Sequence, residues 1–175
     1  MSDVRPSWNI PNDWENQKFG DIDIDLQDAG IFSHKSALSI TWYTRWSDEW
    51  GIDCNHCGHV DEHYCIEDFY AIPEFSLSWR YKCKKCGKKF SVTSGTWIAN
   101  HKLPVEYWWR IAYLLGDFNI PVNSTWLARD LKVTQMTAYY SLIVVAKALG
   151  VSLKTPLKVD KGTHQIMSAL LTVRK

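Results

Sequence analysis

The residues best suited to chemistry are five cysteines, at positions 54, 57, 65, 83 and 86. Four of them form two Cys-x-x-Cys pairs, Cys54-Asn55-His56-Cys57-Gly58 and Cys83-Lys84-Lys85-Cys86-Gly87, with 25 residues between them. Two residues between thiolates let one tight turn aim both sulfurs at a single ion. The glycine after each second cysteine permits the positive φ that such a turn needs. Two of these turns brought together make a closed tetrahedral site with Zn–S bonds of about 2.3 Å. The expectation is therefore one structural Zn2+ held by Cys54, Cys57, Cys83 and Cys86. Four protein ligands leave no position for water, so such an ion braces the fold and does not catalyse. Disulfides are not expected, since nothing marks an oxidising compartment. Redox Cys-x-x-Cys motifs, for their part, come singly on a βαβ pattern. His56, His59 and His63 crowd the first pair and could replace a cysteine as ligand, but the symmetry of the two pairs speaks against it. Cys65, within His63-Tyr64-Cys65-Ile66, reads as a small buried apolar residue on a strand.

Charge is distributed unevenly around these pairs. The 175-residue chain has a net charge of +1. Residues 1–53 carry −6, residues 54–103 carry +2 and residues 104–175 carry +5. Between positions 80 and 102 lie Arg80, Lys82, Lys84, Lys85, Lys88, Lys89 and Lys102, with no acid among them. A local basic run of this kind fits a polyanionic partner, although a solvated lysine-rich face would look the same. The composition, 46% hydrophobic and 22% charged, is that of a globular chain. No apolar run approaches the roughly 20 residues of a membrane span, and the N-terminus lacks the basic start and apolar stretch of a secretory leader. A cytoplasmic address and no membrane partner are expected. There is no phosphate-binding loop and no open metal site, so neither a small-molecule substrate nor enzymatic activity is expected. Asp21, Asp23 and Asp25 resemble the start of a calcium loop. Leu26 and Phe32, however, stand where that loop requires a glycine and a bidentate glutamate.

The elements that must position the cysteines can be read from periodicity. Leu38, Trp42, Trp46 and Trp50 recur every four residues and predict a helix over 33–50, capped by Ser33, with its tryptophan stripe packed on the cysteine-bearing unit. Strands are predicted over 60–69, 76–82 and 88–93. With the two cysteine turns they would form a three-stranded antiparallel zinc ribbon. Pro104 suits the first position of a helix reaching about residue 115. Ser124 could cap a short helix over 125–131, Lys132-Val133 would turn the chain, and Thr134 could cap a last helix ending at Gly150. That helix has a core stripe of Ala138, Leu142, Val145 and Leu149, with Leu131 and Val133 plugging the junction. A short helix, a tight turn and a longer helix make the helix-turn-helix pattern. The fold class is thus α+β. Its parts are an acidic arm (1–32), a Trp-rich helix (33–53), a four-cysteine zinc ribbon (54–103), a helix-turn-helix (104–150) and a basic tail (151–175) carrying one helix near 164–173. In a DNA reader of this type the first turn of the last helix enters the major groove. Gln135, Met136, Thr137 and Tyr140 would face the bases there. Arg129 and Lys132 would touch the phosphate backbone, joined by Lys82, Lys84, Lys85, Lys88, Lys89 and Lys102 of the basic run.

The run Tyr81-x-Cys83-x-x-Cys86-x-x-x-Phe90-Ser91-Val92-Thr93-Ser94-Gly95-Thr96, followed by His101-Lys102-Leu103-Pro104, resembles the ISXO-like insertion-sequence transposases. The continuation Leu127-Ala128-Arg129-Asp130-Leu131-x-Val133-x-x-x-Thr137-Ala138 resembles the helix-turn-helix that follows the ribbon in that family, and Trp46 and Gly51 also match its pattern. The resemblance covers about residues 33–150. It implies binding of duplex DNA at transposon ends through the ribbon and the helix-turn-helix. The family's chemistry lies in a following RNase H-like domain whose acids hold two metal ions, which activate water and stabilise the leaving oxygen. Here the only acid after Asp130 is Asp160, and Asn55 stands where the family usually has proline. The expected function is accordingly that of a non-catalytic, zinc-stabilised DNA-binding protein, a mobile-element accessory or regulator. The alternative is a protein-interaction module, homodimeric or bound to a larger partner, built on a ribbon that has lost DNA.

Overall fold

The structure is a computed structural model and describes residues 34–46, 51–66, 80–154 and 156–173. The expected acidic arm, the Ser33 cap, Trp50 and the outer parts of the strands predicted over 60–69 and 76–82 lie outside the described residues. The fold is α+β. Helix α1 (His34–Trp46) precedes strands β1 (His63–Cys65), β2 (Arg80–Cys83) and β3 (Lys89–Ser91). Helices α2 (Val105–Leu115), α3 (Ser124–Asp130), α4 (Gln135–Leu149) and α5 (Thr163–Leu171) follow. None of the described helices is long and apolar enough to cross a membrane.

The strands form one antiparallel sheet in the order β1-β2-β3, with His63 opposite Cys83 and Tyr81 opposite Phe90. Strand β2 alternates strictly: Tyr81 and Cys83 are buried, Arg80 and Lys82 exposed. The tryptophan stripe of α1 closes the buried face. Trp46 stands edge-on to Tyr81 at 5.5 Å, and the Trp42 indole N–H donates to the Tyr81 hydroxyl at 2.8 Å. The sequence predicted a longer β3. The chain turns after Ser91 because the Ser94 hydroxyl accepts the Ser91 backbone N–H at 2.7 Å.

The helices α2, α4 and α5 build the rest of the core. Trp108, Ile111, Leu114 and Leu115 of α2 and Ala138, Leu142 and Val145 of α4 belong to a single buried cluster that also includes Tyr81 and Phe90 of the sheet, with α5 packed on both helices. Two predicted boundaries move by a residue. Pro104 is the N-cap of α2 and not its first helical position. Asn123, not Ser124, caps α3, because its side-chain oxygen accepts the Trp126 N–H at 2.8 Å. Thr134 caps α4 as expected, its hydroxyl accepting the Thr137 N–H, and Gly150 ends that helix in the left-handed region at φ 66°. Such a cap contributes about 1 kcal/mol. Leu149, placed on the core stripe, is only half-buried, at the last position of α4.

The larger correction concerns residues 151–175. The lysines at 154, 158 and 161 are exposed, as a basic tail would have them, but Leu157, Ile166, Met167, Leu170 and Leu171 are buried. Helix α5 packs against α1, α2 and α4. Leu157 exchanges backbone hydrogen bonds with Val122, and the Trp97 N–H donates to Leu170 O at 3.1 Å. The apolar pairs 166/167 and 170/171 mark an amphipathic stripe, and flanking lysines disguise it. Residues 156–173 are therefore an integral layer of the fold.

Candidate metal centre and helical surface

The two cysteine turns have the same construction. In the first, the Cys54 N–H donates to His59 O at 2.9 Å and the Gly58 N–H to Cys54 O at 2.7 Å. In the second, the Cys83 N–H donates to Lys88 O and the Gly87 N–H to Cys83 O, both at 3.0 Å. Gly58 and Gly87 sit at φ 67° and 69°, the left-handed conformation that a side chain resists. In each turn the backbone N–H groups two and three residues on, of His56 and Cys57 or of Lys85 and Cys86, point at the first sulfur. Donors aimed at sulfur favour the thiolate. Those of the second turn, Cys86 N–H foremost, bring the Cys83 thiol down to about 6. Burial has the opposite effect on Cys54 and pushes it up to about 11.

The sheet brings the turns face to face. The ligand atoms of Cys54, Cys57, Cys83 and Cys86 all lie within 4.8 Å of one another. The Cys54 and Cys86 sulfurs are 3.7 Å apart and those of Cys57 and Cys83 3.6 Å. A tetrahedron with bonds of about 2.3 Å has edges of about 3.8 Å, so the spacing suits one ion. It far exceeds the sulfur–sulfur bond of about 2.05 Å in a disulfide. The four cysteines form a possible tetrahedral metal site compatible with zinc. Two of the three histidines have polar partners elsewhere, His56 Nε2 lying 3.3 Å from Lys89 O and His59 Nε2 3.0 Å from Glu62, and the His63 ring stands edge-on to Tyr81 at 4.7 Å. Cys65, expected to be buried, is exposed: Trp46 covers Tyr81 and Phe90 on β2 and β3, and the last two residues of β1 are left exposed.

Polar contacts of Arg45, Trp46 and Asp61 brace this unit. The Arg45 guanidinium reaches the carbonyls of Val92 and Ser94 beyond β3. The Trp46 indole donates to Asp53, next to the first ligand, at 2.7 Å. Asp61 accepts the Ile52 N–H at 2.9 Å.

Lys82, Lys84, Lys85, Lys88, Lys89 and Lys102 are all exposed, as are Arg129 and Lys132. Lys84 lies over the exposed Tyr64 ring at 4.9 Å. On α4, Met136 is 61% and Tyr140 56% exposed, whereas Thr137 is half-buried. Gln135, expected to reach base edges, donates instead to the Thr125 hydroxyl at 3.0 Å and ties α4 to α3. Base reading by Gln135 would require exchanging that bond. Lys102 meets Thr137 and Tyr140 across a groove of about 510 Å3. A second groove of about 520 Å3 runs between α3 and α4 beside Gln135 and Met136.

Three acids of the helical region, Glu106, Asp117 and Asp130, have structural partners. Asp130 holds Arg110 in a two-pronged pair at 2.6 and 2.5 Å, joining α3 to α2. Glu106 lies 2.9 Å from His34, and Asp117 exchanges hydrogen bonds with Thr163 at the start of α5. Comparison with protein-family models, with curated proteins and with solved structures gives no match.

Proposed function

We propose that this chain is a non-catalytic, zinc-stabilised DNA-binding protein related to the DNA-binding half of an ISXO-like transposase. In this reading the sheet and its two cysteine turns are a zinc ribbon. Helices α3 and α4 are the helix-turn-helix, with α4 as the helix that enters the major groove. Zinc would be held by Cys54, Cys57, Cys83 and Cys86 and would serve only to fix the two turns. One observation carries the proposal: Lys102, the last cation of the basic run in the ribbon segment, lines the same groove as Thr137 and Tyr140 of α4. A backbone-neutralising cation thus sits beside the residues assigned to the bases. The absence of any acid between positions 80 and 102 supports the same polyanionic partner.

The role of the ribbon lysines is open to direct measurement. For duplex DNA, log K falls with log salt by about 0.9 per phosphate contact. Changing Lys84, Lys85, Lys88 and Lys89 together to glutamine should flatten that slope by up to about 3–4. These side chains are exposed, so the fold should be unaffected. An unchanged slope would remove the four lysines from the interface.

A second reading rests on Met136, Tyr139 and Tyr140, three exposed large side chains within two turns of α4. They suit a protein partner or a second copy. A stoichiometric protein partner recovered equally with and without nuclease would favour that reading.

A further inference from the structure

The two grooves beside α4 differ in chemistry. The one against α3 is lined by uncharged residues, among them Asn123, Thr125 and Met136. The one against residues 97–103 is lined by Trp97, His101, Lys102, Tyr140 and Lys147, and no carboxylate lines it among the described residues. It is therefore an aromatic surface flanked by cations. Its volume of about 510 Å3 falls within the range of small-ligand sites, roughly 300–1,000 Å3. A fully paired duplex can touch the rim and cations of such a groove but cannot stack in it, because its bases are stacked on one another and present only their edges. An unpaired nucleotide can, since it offers an aromatic face to the rings and a phosphate to the lysines.

We propose that this groove takes an unpaired base of a single-stranded extension leaving the duplex, stacked on Tyr140, with its phosphate on Lys102 and Lys147. The proposal deepens the DNA-binding reading and rests on it. Thr137 and Tyr140 belong both to the groove and to the early turns of α4 assigned to the duplex. A strand that separates from the duplex there is already at the groove. The preferred substrate is then a DNA end or junction, and continuous duplex is the weaker ligand.

Fluorescence anisotropy on three kinds of DNA with the same duplex separates the possibilities: blunt, with a short single-stranded extension, and with an abasic extension of equal length. Both 3′ and 5′ extensions are needed. The zinc-loaded full chain should bind one extended DNA about tenfold more tightly than the blunt one, the gain of one well-stacked base. The abasic extension should lose most of that gain. Tyr140→Ala should bring the extended-to-blunt ratio close to one, and Tyr140→Phe should keep it. Tyr140 is 56% exposed, so neither change disturbs the core. Equal affinity for blunt and extended DNA overturns the inference while leaving duplex binding intact. A gain retained by the abasic extension also overturns it, since charge alone would then explain binding. No binding to any of the three overturns the inference and the DNA-binding reading together.

Discussion

Replacing Cys83 with serine is expected to unfold the three-stranded sheet. The strands have three, four and three residues, and a sheet this small is at best marginal on packing alone. Tyr81, Phe90 and Trp46 supply its aromatic core, but Cys54 and Cys83 are themselves buried, and the sulfurs of the two turns converge on one point. A structural zinc site contributes on the order of 10–16 kcal/mol at neutral pH, against about 5–15 kcal/mol for the net stability of a whole domain. Loss of the ion should thus be felt throughout the buried cluster that joins sheet and helices. Native mass spectrometry should find one bound metal ion per wild-type chain and none in Cys83→Ser, with a large fall in Tm. A strong chelator should reproduce the effect. Acidification should as well, because protons compete for the thiolates: the stabilisation is present at neutral pH and lost as pH falls. A Cys83→Ser protein that melts with the wild type would show that the sheet does not depend on a metal.

Asp130→Ala is expected to destabilise the protein by about 1.5–3 kcal/mol, the worth of hydrogen bonds to a charged group, since the ion pair it breaks is part-buried. The side chains of Arg110 and Asp130 are only 15% and 10% exposed, and they clamp α3, the first helix of the proposed DNA-reading pair, to α2. Removing the carboxylate leaves a largely buried guanidinium without this counter-charge. The double change Arg110→Met with Asp130→Leu should recover most of the loss, since apolar residues of similar volume often replace a buried pair without penalty. Urea unfolding of the three proteins tests this. A wild-type midpoint for Asp130→Ala would remove the structural role. Magnesium-dependent nuclease activity abolished by Asp130→Asn would give the residue a catalytic one.

The four-cysteine cluster was legible because its signals are local. A Cys-x-x-Cys turn and the glycine after it are contained in five residues, and the structure repeats the same hydrogen bonds in both turns. Helix α4 was legible for the same reason, with Thr134 and Gly150 marking its ends in sequence. What the sequence did not disclose depends on residues far apart. Arg45 is one basic residue in a tryptophan-rich stretch until Val92 and Ser94, nearly fifty positions away, present their carbonyls to it. Asp130 looks like a surface acid until α2 brings Arg110 against it. Helix α5 was read as part of a tail because the lysines around it outweigh its apolar stripe in a count of composition, although the stripe decides packing. Cys65 went wrong in the opposite direction: burial depends on which strands the α1 tryptophans cover, and a short segment does not tell that they reach Tyr81 and Phe90 but leave the end of β1 open.

The central claim is that the cysteine-braced sheet and α4 together bind DNA. Fluorescence anisotropy of the zinc-loaded protein on duplex DNA, between about 50 and 300 mM salt, tests it most directly. The account predicts binding whose affinity falls steeply with salt, by about 0.9 in log K per log salt for each phosphate contacted. No binding at the lowest salt, with the metal confirmed in place, would contradict it and leave the exposed Met136, Tyr139 and Tyr140 as a protein-docking face.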